Sequence, residues 1–155
     1  MMPDELVGRM LGLDVGTKTI GVAVSDPLGY TAQPLTVIRR RNKVSDLAEL
    51  RHLVEVYNAE RFVVGYPLSM SGVAGPQAAY VSAFAEDLKV LGIPIELIDE
   101  RLTTKQAQQV LIMGGVRREK RREVIDQQAA VLILQVYMDR EARRRANESS
   151  SDPGS

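Results

Sequence analysis

The 155-residue chain has no cysteine and one histidine, His52, which excludes a disulfide framework, a thiolate metal site and a histidine-rich zinc site. Twenty basic and twenty acidic side chains cancel, so no global field draws the molecule to a polyanion, although the cations cluster at 39–43, 117–122 and 140–145. No apolar run approaches the ~20 residues of a membrane span and no signal-peptide pattern is present, so a single cytoplasmic domain is expected.

Residues 1–8 read as a short acidic leader. Runs 9–14 and 19–25 are apolar strands folded into a hairpin around Gly16-Thr17-Lys18, with Asp14 ending the first. Gly21, inside the second, marks a bulge or a close backbone approach. Asp26-Pro27-Leu28-Gly29 is a turn, and 32–39 is a third strand, placed at an edge by Pro34. The period then changes: Val44, Leu47, Leu50, Leu53, Val54 and Tyr57 predict a helix over 44–57, with Ser45 or Asp46 near its start and His52 on its surface.

A strand over 61–66 closes at Pro67. The Gly/Ser-rich loop 68–75 leads into a helix over 76–91, ended by Gly92 and Pro94, and a further strand covers 95–99. Thr103 and Gln106 form a capping box for a helix to about 113, stopped by Gly114-Gly115. The last helix is expected from near 122, with Asp126, Ala129, Ala130, Ile133, Leu134 and Tyr137 along one side. Residues 147–155 read as a disordered tail, which leaves 9–146 as one domain.

Short connections make the first three strands an antiparallel meander, whereas the later strands are flanked by helices and run parallel to the first through right-handed crossovers. The expected fold is an α/β protein with a five-stranded mixed sheet in order 3-2-1-4-5 and helices on both faces. The first strand is then central, and its carboxyl end, where open α/β sheets place their sites, holds Asp14. Glu100 follows the fifth strand and leaves the same sheet edge. Asp126 lies on the apolar side of the last helix, beside small residues that permit a close approach to the sheet.

Three carboxylates brought together repel one another, and a divalent cation removes the conflict. Mg²⁺ suits such a site because it takes few carboxylates and accepts phosphate oxygens, and a pair of such ions serves phosphodiester hydrolysis. The competing reading makes Asp14 a turn acid, Glu100 the partner of Arg101, and Asp126 an ordinary helix-surface residue.

Four blocks carry a resemblance: Gly12-Leu13-Asp14-Val15-Gly16-Thr17-Lys18 with Gly21-Val22-Ala23-Val24-Ser25-Asp26; Val64-Gly65-Tyr66-Pro67-Leu68-Ser69-Met70 with Gly72 and Gly75; Asp99-Glu100-Arg101-Leu102-Thr103-Thr104; and Asp126-Gln127-Gln128-Ala129-Ala130 with Ile133-Leu134-Gln135. Over about residues 10–139 the chain resembles the YqgF family, also described as RuvX-like Holliday junction resolvases and linked to maturation of the 5′ end of 16S ribosomal RNA. The resemblance implies a ribonuclease H-like fold and a nucleic-acid substrate. It also implies that Asp14, Glu100 and Asp126 are catalytic acids holding Mg²⁺ or Mn²⁺. Related junction resolvases place an acid at the end of the fourth strand, where this chain has Gly65-Tyr66-Pro67, so Glu100 must supply the second acid.

Lys18 and Arg101 stand beside candidate acids, as phosphate contacts or as their salt-bridge partners. The loop containing Ser69 and Gly72 offers hydroxyl and backbone donors to a phosphate, or is a plain connection. Arg117, Arg118, Lys120, Arg121 and Arg122 suggest a mobile basic flap over the substrate, and Arg140 to Arg145 a solvated helix end. The leading expectation is a metal-dependent nuclease acting on precursor ribosomal RNA or ribosomal precursor particles, as monomer or homodimer. A resolvase of branched DNA and a non-cleaving nucleic-acid-binding factor are the alternatives. An ATP-binding protein ranks below them, because its phosphate loop needs a second domain for which the chain has no room.

Overall fold

The computed structural model describes residues 8–67, 75–99 and 118–150, with side chains of the last segment described over 127–148. Strands β1 (Arg9–Val15), β2 (Thr19–Ser25) and β3 (Ala32–Arg39) precede helix α1 (Lys43–Tyr57). Strand β4 (Ala59–Tyr66), helix α2 (Pro76–Leu88), a 3₁₀ turn (Lys89–Leu91), β5 (Ile95–Asp99) and α3 (Arg118–Ser150) complete the order. The sheet runs β3-β2-β1-β4-β5, with β1 central. β1 is antiparallel to β2 and parallel to β4, and β4 is parallel to β5, as the expected crossovers require.

Strict alternation divides β1 between two cores. Leu11, Leu13 and Val15 join Ile20, Val22, Phe62 and Val64 in a cluster with Leu50 of α1 and Val81, Phe84 and Leu88 of α2. The opposite face carries smaller residues, Gly12, Ala23 and Val63, and packs against Ala130, Ile133, Leu134, Tyr137 and Met138 of α3. A Cβ built on Gly12 would lie 2.7 Å from Leu134 Cβ and 2.9 Å from the Ala130 carbonyl oxygen, so only glycine admits the helix at this spacing. Gln135 ties α3 to the edge of the sheet: its Oε1 accepts from the Ala32 N–H at 2.8 Å and its Nε2 donates to the Tyr30 carbonyl at 3.1 Å.

The local chemistry sharpens several expected boundaries. β1 runs one residue further than expected, through Val15, and β4 starts two earlier, at Ala59, after Asn58 caps α1 in the left-handed region (φ 51°). Asn42, not Ser45 or Asp46, caps the start of α1, accepting from the Ser45 N–H at 2.8 Å. The predicted helix 76–91 divides into α2 and the 3₁₀ turn, closed by Gly92 at φ 82°. The irregularity expected at Gly21 falls one residue later: Val22 pairs with Thr36 and Ala23 with Pro34, leaving Leu35 extra beside a proline that donates nothing to the ladder.

The last helix starts at Arg118 rather than near 122, so Arg118, Lys120, Arg121 and Arg122 belong to its first turns and not to a mobile flap. The run Arg-Glu-Lys-Arg-Arg-Glu consists of good helix formers, and clustered charge did not interrupt it. The same propensity carries the helix through 147–150, where a disordered tail was expected. The capping-box helix of 103–113 lies outside the described residues.

Candidate functional site

Asp14 is half-buried and ends the inward alternation Met10, Gly12, Asp14, so its side chain stands on the α3 side of the sheet. Its cross-strand partner on β2 is Gly21. On β4, the residue one beyond the Leu13–Val64 pair is Gly65, which in turn pairs with Ile98. Asp14 therefore sits level with a glycine on each neighbouring strand.

Helix α3 crosses this face antiparallel to β1. Met10 lines one cavity with Tyr137 and Met138, and Gly12 meets Leu134 and Ala130. The step from Gly12 to Asp14 advances about 7 Å along the strand. The step from Ala130 back to Asp126 retreats about 6 Å along the helix. This register carries the backbone of Asp126, one helical turn before Ala130, to the end of the sheet that holds Asp14.

Glu100, Arg101, Ser69 and Gly72 lie outside the described residues. Ile98 packs in the α3-side cluster, and β4 and β5 end at the same sheet edge as Asp14 because both run parallel to β1. Lys18, in the β1–β2 turn, has an exposed side chain. Arg118, Lys120 and Arg121 occupy the α3 turns that precede Asp126, with backbone positions only. Two of the three predicted acids fall outside the described side chains, and among the described residues no group of three His, Cys, Asp or Glu forms a cation cage. His52 is exposed on α1, as expected.

Arg40 was not singled out from the sequence. Its Nε donates to Asp46 Oδ2 at 3.1 Å, one guanidinium nitrogen donates to the Gly16 carbonyl at 2.9 Å and to the Tyr80 hydroxyl, and its plane lies 4.9 Å from the Phe84 ring centroid. Asp46 is 2% exposed and also accepts from the Arg41 N–H at 3.1 Å. The only sequence signal was an acid at a helix start, which reads equally well as a cap.

A cavity of about 250 Å³ lies at the other end of β1, lined by Met10, Ser25, Asp26, Arg61, Tyr137 and Met138 among others. It contains none of the predicted site residues. Burial pushes the Tyr137 phenol up there. No helix among the described residues is long and apolar enough to cross a membrane.

The protein named "Putative pre-16S rRNA nuclease" of Moorella thermoacetica is 58% identical over 133 residues, covering 85% of this chain and 95% of that protein. A protein of the same name from Heliobacterium modesticaldum is 51% identical over 145 residues, 93% of this chain and 97% of its own. Among solved structures, Thermus thermophilus RuvC in complex with a Holliday junction substrate shares the fold, with TM-score 0.56 and 18% identity over 88% of this chain and 97% of that one. The sheet order and this likeness together make the fold ribonuclease H-like. The model of the RuvX family, described as "Holliday junction resolvase", matches residues 8–140, and the chain belongs to that family.

Proposed function

We propose that the chain is a metal-dependent nuclease that hydrolyses phosphodiester bonds, acting in 5′-end maturation of precursor 16S rRNA. The observation that carries this reading is the placement of Asp14 between Gly21 and Gly65, beneath the helix turn that bears Asp126. The names of the relatives point to the substrate.

The donor set fits a hard cation. The chain has no thiolate, its one imidazole is exposed on α1, and the acids in question offer carboxylate oxygens, the ligands that suit Mg²⁺ and Mn²⁺. Asp14, Glu100 and Asp126 would hold the ion. When bound, it supplies charge neutralisation at the scissile phosphate and an activated water. The chain's own part is to hold the carboxylates in place: β1 fixes Asp14 in the ladder, and the packing of Gly12 on Ala130 fixes α3 against it. Lys18, Arg101 and the α3 cations Arg118, Lys120 and Arg121 would contact phosphates, with Ser69 and Gly72 as neutral donors.

The test is cleavage of a model pre-16S rRNA and of a four-way DNA junction of matched length, by wild type and Asp14→Asn, with and without chelator. RNA cleavage lost on both chelation and substitution, with thermal unfolding unchanged, supports the assignment. Preferential junction cleavage transfers it to the resolvase reading that the family description favours. Binding without any cleavage leaves a non-cleaving nucleic-acid-binding factor.

A further inference from the structure

We propose that Arg40 is a positioning residue for the nuclease site, clamping the turn that follows Asp14; the inference rests on the nuclease reading above. Its backbone N–H donates to the Lys18 carbonyl at 2.9 Å and its guanidinium to the Gly16 carbonyl at 2.9 Å. One residue thus grips two of the three carbonyls of the β1–β2 turn, the first and the last, from outside the hairpin. Within the turn, the Gly16 N–H donates to the Thr19 carbonyl at 2.8 Å.

Arg40 is itself immobilised from three directions. Asp46 at the start of α1 takes the Nε, the Tyr80 hydroxyl of α2 takes a guanidinium nitrogen, and the Phe84 ring underlies the plane. A side chain anchored on two helices fixes the turn to the rigid α1/α2 side of the molecule, whereas Asp14 projects from the opposite face of the same strand. Gly16 would otherwise leave this turn soft, two residues beyond the acid. Loss of a group hydrogen-bonded to a metal ligand costs about 10–100-fold in activity or metal affinity, and loosening the turn that follows Asp14 is expected to act within that range. A planar fork that spans several acceptors is a task for arginine and not for lysine.

Two variants test this. Arg40→Met removes the charge, and Arg40→Lys keeps an ion-pair partner for Asp46 but cannot span the turn. Hydrogen exchange at the Gly16 amide and steady-state cleavage are read for both. The Gly16 amide should exchange at least about tenfold faster in both variants, and kcat should fall about 10–100-fold with KM within about twofold. A folded Arg40→Lys with wild-type exchange and wild-type kcat overturns the proposal, as does a fall in kcat without faster exchange. If wild type cleaves neither RNA nor DNA while exchange at Gly16 still rises, the nuclease reading fails and the clamp stands.

Discussion

The two faces of the sheet are packed by different rules. Toward α1 and α2, β1 and its neighbours present Leu11, Leu13, Ile20, Val22, Phe62 and Val64, fully buried branched and aromatic side chains. Toward α3 they present Gly12, Ala23 and Val63, with Gly12 met by Ala130 and Leu134. Large side chains maximise the apolar area removed from water. Small ones let two backbones approach, which gives up area and gains a defined distance. Both faces bury apolar side chains, but only the α3 side has Gly12 against the helix, where the spacing between strand and helix is set by backbone and Cβ contacts.

The largest stability effect is expected on the bulky face. Phe62→Ala should cost about 3–5 kcal/mol, read by denaturant unfolding, because a fully buried ring leaves a cavity its neighbours fill only in part. Its kcat per folded molecule should stay within about twofold of wild type. Equal damage to kcat would break the division between the faces.

On the small-residue face the balance reverses. Gly12→Ala adds one carbon where Leu134 Cβ and a backbone carbonyl already stand within 3 Å. Overpacking of this kind costs about 1–3 kcal/mol. Since a displacement near 1 Å can cost about 100-fold in rate, kcat should fall by at least about tenfold. Activity preserved in a destabilised Gly12→Ala would separate helix spacing from catalysis.

The smallest effect belongs to neither face. Asp26 accepts from the Thr31 and Tyr30 N–H groups, at 2.9 and 2.7 Å, and the Thr31 hydrogen bond, opposed by some burial, leads the causes that hold its carboxyl below the usual range. A depressed native pKa contributes stability that is present above the unfolded value, near 4, and is lost as pH falls through the native one. Asp26→Asn should therefore narrow the stability gap between pH 6 and pH 3 by a small amount, read from thermal midpoints. A wider gap in the variant would contradict the sign.

Much of this was legible in the chain because it depends on local pattern. Apolar runs bounded by turn residues located the five strands, the change of period located α1, and Pro34 marked the edge that β3 occupies. Asp14 drew notice as a charge among strand formers. What escaped depends on contacts between distant residues. Gly12 looks like any strand glycine until Leu134 is placed above it, and Arg40 reads as one of three consecutive arginines until Asp46, Gly16 and Tyr80 surround it. At the start of α1, Asn42, Ser45 and Asp46 are all competent caps, so composition did not choose among them. The start of α3 was set too late because clustered arginines suggest a loop, although each is a good helix former.

The central claim, that one cation is shared between strand β1 and helix α3, is tested most directly by adding substoichiometric Mn²⁺ and following paramagnetic broadening of backbone amides. Val15 and Gln127, which adjoin Asp14 and Asp126 respectively, should broaden together in wild type, and neither should in Asp14→Asn. Broadening at Val15 with Gln127 unaffected, or broadening of both that survives Asp14→Asn, would contradict a site built from the two elements.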